Sequence, residues 1–156
     1  MKELIIYNII AAALAGAVLI PLAAATNTGF KNDKEEIYHA ARQGGEKLRA
    51  IMAEGLSINT IDDQGKTALM DAADNNEEKI VQILISNGAN VNMQDEKGET
   101  ALMLAAEDGS TNIVCLLLDA DADPKIRDRK GETALQKAEN AGHSDTAGFI
   151  GRAGNN

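Results

Sequence analysis

Residues 95–127, DEKGETALMLAAEDGSTNIVCLLLDADADPKIR, lie over the 33 residues before them, DDQGKTALMDAADNNEEKIVQILISNGANVNMQ, and over the 29 that follow, DRKGETALQKAENAGHSDTAGFIGRAGNN. A fixed period of that length makes each unit one supersecondary element that cannot bury its apolar face alone. Neighbouring units must therefore stack into a continuous core. The 156 residues leave room for one such domain and not comfortably for two. Two Phe, two Tyr and no Trp would make a poor single globular core, whereas a stack of repeats is filled by Ala, Leu, Ile, Val and Met.

Each unit carries the same internal order. G-x-T-A-L followed by a paired Ala occupies residues 65–73 and again 98–106; a second apolar stretch follows, then a turn, N-G-A-N-V-N at 87–92 and A-D-A-D-P at 120–124. In period, motif order and turn the chain resembles the ankyrin repeat. The resemblance implies an all-α solenoid of stacked helix-turn-helix units joined by hairpin-like loops. Two full repeats are expected at 62–94 and 95–127, a degenerate N-capping repeat at 33–61, and a C-capping repeat with a tail at 128–156. Asp33 is expected to cap the first helix, with Glu36 three residues on. Thr67 and Thr100 are expected to cap the first helices of the full repeats, whose Leu69, Leu102 and Ala pairs point inward. Ile80, Val81, Ile83 and Leu84, with Ile113, Val114, Leu116 and Leu117, should bury the second helices. The second helix of the first repeat is read as about one residue shorter than the others. Gly88 should close its helix in the left-handed conformation; Asp121 takes that slot one unit later at some cost, loosening the last junction. In the last unit Glu139, Thr146, Gly148 and Gly151 replace apolar residues or Cys115, while Phe149 and Ile150 should keep it docked. The final residues, 154–156, are expected to fray. The family's T-P-L-H reads T-A-L-M at 67–70 and 100–103 and T-A-L-Q at 133–136, so its inter-repeat histidine bonds and its proline are missing. Modest stability follows.

The first 25 residues are a different material. Lys2 is the one cation ahead of an apolar run at 9–20, Pro21 follows, and Ala23 and Ala25 offer the small side chains a signal peptidase binds. A signal peptide cleaved before Thr26 is expected, then a flexible lead-in at 26–32, which places the mature chain in a bacterial periplasm. The alternative is an uncleaved membrane anchor, since residues 4–25 carry no charge and are long enough to span a bilayer. Asn8, Pro21 and the Ala-rich end argue against it. Cys115 is alone, so no internal disulfide forms; it takes the solvent-facing slot of Gln82. A monomer is expected, with a Cys115-linked dimer as the alternative.

Ankyrin arrays generally bind other proteins through loop tips and the concave face of the first helices, and the resemblance carries that expectation to definite positions. The loop-tip pairs are Asp63 and Gln64, Glu96 and Lys97, Arg129 and Lys130. The concave rows are Asp71, Leu104 and Lys137, then Asp74, Glu107 and Asn140. Leu104, one large apolar residue in a polar row, is the expected exposed anchor. Removing residues 1–25 takes away one Lys and one Glu and leaves the formal net charge at −9. With no basic stripe or aromatic platform, nucleic acid is disfavoured and a basic or mixed-charge protein is favoured. No cofactor, metal site or catalytic set is expected: His39 and His143 stand in opposite caps without Ser, Cys or carboxylate partners, and D-A-D-A-D at 119–123 lacks the glycine and final Glu of a calcium loop. The expected role is therefore non-catalytic protein binding in the cell envelope. The alternatives are a membrane-anchored scaffold, an immunity-type inhibitor of a toxin, or an accessory factor of an exported enzyme such as a catalase, with which some small bacterial members of the family are associated.

Overall fold

The structure, a computed structural model, describes residues 33–154. The leader and lead-in expected at 1–32, and Asn155 and Asn156, lie outside the described residues. Eight helices follow in four pairs: α1 (Asp33–Gln43) with α2 (Gly45–Ala53), α3 (Ala68–Asp74) with α4 (Glu78–Ser86), α5 (Ala101–Glu107) with α6 (Thr111–Asp119), and α7 (Ala134–Asn140) with α8 (Ser144–Ala153). First helices pack on first helices, α1 on α3, α3 on α5 and α5 on α7, while α4 packs on α6 and α6 on α8. No helix among the described residues is long and apolar enough to cross a membrane.

The short first helices are set by their threonines. Thr67, Thr100 and Thr133 sit in extended backbone, and each hydroxyl accepts from the backbone N–H three residues on. The methionines that replace the family's histidine are buried, 1 % exposed at both Met70 and Met103, and the Met70 sulfur accepts from the Thr67 N–H at 3.4 Å. Ala72, Ala73, Ala105 and Ala106 have no exposed surface, which lets neighbouring first helices approach closely. Ile80, Val81 and Leu84, then Ile113, Val114 and Leu117, fill the layer beneath. Each contributes roughly 1.5–3 kcal/mol on full burial.

Several expectations need correcting. Asp33 stands inside the first turn of α1 instead of ahead of it. The α2 helix has nine residues, as α4 and α6 do. The residue missing from the first repeat comes out of the turn, where Gly44 alone separates α1 from α2 while residues 75–77 separate α3 from α4. Ile83 and Leu116 are only half-buried. Counting 33 onward reaches Phe149 in the same row, 42 % exposed, with the Arg152 guanidinium stacked 4.7 Å over its ring. That row looks outward, so Phe149 does not dock the last unit; Ile150, 1 % exposed, does. Thr146 is buried at 2 %, its hydroxyl 2.7 Å from that of Thr111, so it faces the preceding unit and not the open end. Gly154 closes α8 through its N–H to the Ile150 carbonyl.

Between the pairs run the hairpin loops that present the surface. Asp62, Asp95 and Asp128 each fold one loop: the Oδ1 atom accepts from the backbone N–H groups two and four residues on, at 2.8–2.9 Å. Successive loops are then joined tip to tip, Glu96 N–H to the Gln64 carbonyl and Arg129 N–H to the Lys97 carbonyl, both at 2.9 Å. Gly98 sits under this contact with φ +77°, and a Cβ there would lie 3.0 Å from the Arg129 nitrogen. Just past the end of α4, Gly88 has φ 89°, and Asp121 adopts φ 63° in the same slot after α6, as the sequence predicts.

Candidate functional site

The concave rows fall into register once the turn deletion is placed. Lys34, in the first turn of α1, and Lys66, Glu99 and Glu132, just ahead of the next three first helices, stand at equivalent positions; Asp71, Leu104 and Lys137 form a second row, and Asp74, Glu107 and Asn140 a third. The first row changes sign midway and the second changes in the opposite sense, while the third runs from two acids to a neutral amide, so charges of opposite sign face each other between rows. In the N-terminal half Lys34 bonds to Asp71 and, at 2.9 Å, to Asp62, and Lys66 reaches Asp74 at 3.1 Å. In the C-terminal half Lys137 meets Glu99 at 2.6 Å, Glu107 at 3.1 Å and Asp128 at 3.5 Å, and Asn140 donates to Glu132 at 2.9 Å. Leu104 stands at the crossover.

Burial makes these pairs consequential. Lys34 and Lys137 are 5 % and 6 % exposed. Burial by itself lowers a lysine's affinity for its proton, but the carboxylates around Lys137, Glu99 and Glu107 foremost, more than offset it and hold its pKa well above 10.5. Burial likewise works to lower Lys34 and Lys66, and Asp71 with Asp62 raises the first against it as Asp74 raises the second. Among the acids, burial works to raise Asp62 and Asp128. For Asp62 the bond from Lys34 and the loop N–H groups win, and for Asp128 the loop N–H groups of Glu132 and Lys130 with the charge of Lys137 win, so both end below 3.8.

Above the Lys137 cluster lies a groove of about 590 Å³, lined by Lys66, Asp74, Glu96, Lys97, Glu99, Leu104, Glu107, Asp108, Asp128, Arg129, Lys130 and Lys137. It draws on three successive units, from a first-helix face on one side to two loop tips on the other. Of the positions expected from sequence, Asp74, Glu96, Lys97, Leu104, Glu107, Arg129, Lys130 and Lys137 meet here. Asp63 and Gln64 are exposed on the first hairpin, Asp71 is turned to Lys34 and Asn140 to Glu132, so these four stay outside the lining. Two of the eight differ from expectation. Leu104 is 7 % exposed and forms part of the floor, not a protruding anchor, because a middle unit is covered by a neighbour on each side. Lys137 is no solvated charge but the hub of an ion cluster.

Sequence reasoning overlooked Lys34, Lys66, Glu99 and the three loop aspartates. Asp62, Asp95 and Asp128 had a signal, the same residue opening three units at the period of the array. Lys34 had none until the one-residue deletion was located. The histidines are set apart: His39 on α1 is exposed with its Nε2 3.8 Å from Glu35, and the His143 ring fills the space beside Gly109 at the far end. Among the described residues no group of three or more His, Cys, Asp or Glu is placed to hold a metal ion. Cys115 is partly buried on α6.

A family model described as ankyrin repeats, in three copies, matches residues 9–95 and, overlapping them, 76–154. No curated protein matches the chain.

Proposed function

The chain belongs to the ankyrin-repeat family, whose members are generally protein–protein interaction modules, and from that membership we propose that it acts without catalysis by binding another protein across the groove of its second to fourth units. The observation that carries this is convergence. Both expected classes of contact position, the loop tips and the concave helix row, line one continuous depression of about 590 Å³. A mixed-charge rim of Glu96, Lys97, Glu107, Arg129 and Lys130 surrounds a floor that includes Leu104, which sets an apolar contact inside a polar edge. The internal ion pairs pre-organise this surface, which reduces the ordering cost of binding.

The setting we propose is the bacterial periplasm, on the support of the apolar run at 9–20 and of Ala23 and Ala25 ahead of Thr26. There the chain would accompany an exported enzyme or neutralise a toxin.

One experiment addresses both parts. A photo-crosslinking residue is placed singly at Glu107 or Lys130 on the groove rim and at Lys47 or Lys79 on the second helices, in the full chain expressed in its own cells. We expect one companion protein to crosslink from the rim positions and not from the second helices, and the crosslinked chain to begin at Thr26 in mass spectrometry. Crosslinks from Lys47 and Lys79 but not from the rim sink the groove. A chain beginning at Met1 and recovered from membranes replaces the exported reading with the anchored scaffold.

A further inference from the structure

The charges left free around the groove are not the ones that the chain's composition leads one to expect. The formal net charge is −9, yet the last hairpin, residues 124–131, reads P-K-I-R-D-R-K-G. Its four cations, Lys125, Arg127, Arg129 and Lys130, are all exposed. Its one acid, Asp128, is 8 % exposed and bound to its own loop N–H groups and to Lys137. The matching loops at 58–65 and 91–98 hold a single cation between them, Lys97. That side chain is 77 % exposed, and its nearest carboxylate oxygen, on Glu99, is 3.9 Å away. Arg127 donates to the Gly131 carbonyl at 2.6 Å and is held by its own loop; the side chains of Arg129 and Lys130 form no ion pair among the described residues.

We propose that this rim receives an acidic segment of the protein partner, a short run of Glu or Asp laid across the tips of the last two hairpins beside Lys97, Arg129 and Lys130. The proposal deepens the reading of the groove as a protein-binding surface and rests on it. Charge complementarity selects the occupant. The carboxylates inside the groove already face Lys66 and Lys137, so they offer little to an incoming cation, whereas Arg129 and Lys130, without an ion pair among the described residues, and Lys97, paired only at 3.9 Å, offer an incoming carboxylate charge-assisted hydrogen bonds. The exposed Glu96 and Asp108 also border the groove and repel a longer acidic run, which keeps the segment short. A nucleic acid or an anionic membrane presents charge over a span much wider than the loop. It meets the remaining acidic surface, because repulsion reaches about 8 Å at physiological salt.

The test uses the full chain and fluorescence anisotropy of a labelled oligoglutamate peptide, with an oligolysine peptide, a single-stranded DNA and phosphatidylserine vesicles as comparisons. Arg129→Glu with Lys130→Glu is set against Lys47→Glu with Lys79→Glu, which changes net charge equally at exposed positions of the second helices. We expect the rim reversal to weaken oligoglutamate binding about tenfold or more and the control to weaken it less than about twofold. Equal losses in the two variants, no measurable oligoglutamate binding, tighter oligolysine binding, or DNA or vesicles bound more tightly with the same dependence on the rim would each overturn the acidic occupant. Circular dichroism confirms that each variant folds. If any of these results appears while the companion still crosslinks from Glu107, only the acidic segment fails; if the companion is also absent from the rim, the groove reading fails with it.

Discussion

Lys137 decides the character of the groove interior, because one buried ammonium serves Glu99, Glu107 and Asp128 from three different segments. The side chains of Glu99 and Asp128 are only 11 % and 3 % exposed, so neither exchanges its counter-charge for water. Replacing the lysine by an apolar residue of similar length strands them. Lys137→Met is expected to cost about 3 kcal/mol, near the lower end of what breaking a buried pair costs. Glu99→Gln removes one stranded charge in advance. In the double variant the two losses should therefore fall short of their sum by about 1–3 kcal/mol, measured by urea unfolding of the four proteins in a cycle. Additive losses would mean that Lys137 and Glu99 do not act on each other, so that a stranded Glu99 is not what Lys137→Met costs.

At the scale of elements, the hairpins are where the aspartates act and where pH enters. Asp62 and Asp128 have folded pKa values lowered below the ordinary 3.8, so they stabilise the fold above that pH and lose the contribution as pH falls through and beneath it. Lys34, Lys66 and Lys137 have folded values raised above 10.5, so their contribution is complete below 10.5 and disappears as pH climbs past it. A plateau between the two limits follows. Thermal unfolding followed by circular dichroism should show a midpoint nearly constant from about pH 5 to 9, with an acid limb that is shallower in Asp128→Asn. An acid limb unchanged in that variant would remove the loop from the account. The helices themselves were legible because the period, the threonine caps and the Ala pairs are each local signals. Who pairs with whom was not, since Lys34–Asp71 and Lys137–Glu99 join residues 37 and 38 positions apart in neighbouring units and a spacing rule reports a face without its cover. The same limit concealed the burial of Leu104. Phe149 is a different case: its outward row was readable by counting from Ile83 and Leu116 once those two are known to be half-buried.

A stack in which each unit touches only its neighbours stores its stability locally, so the molecule as a whole should open from its weaker end. The middle repeat buries Leu102, Met103, Leu104, Ile113, Val114 and Leu117; the last unit buries Ala134, Ala138, Ala147 and Ile150 and leaves Gly148 open. It is joined to the stack across Asp121, whose φ of 63° costs a non-glycine residue about 1 kcal/mol where Gly88 has no such penalty. Amide hydrogen exchange should therefore run faster in α7 and α8 than in α5 and α6. Asp121→Gly relieves the strain at the junction and should slow exchange in the last two helices about fivefold, which corresponds to about 1 kcal/mol, leaving the amides of α3 to α5 unaffected. Uniform exchange along the chain, or a uniform slowing by Asp121→Gly, would show that the units open together. The difference matters for binding, because Arg129, Lys130 and Lys137 all belong to the last unit. If that unit opens by itself, one wall of the groove is lost in each opening, and a partner seated there must slow exchange in α7 and α8 more than anywhere else.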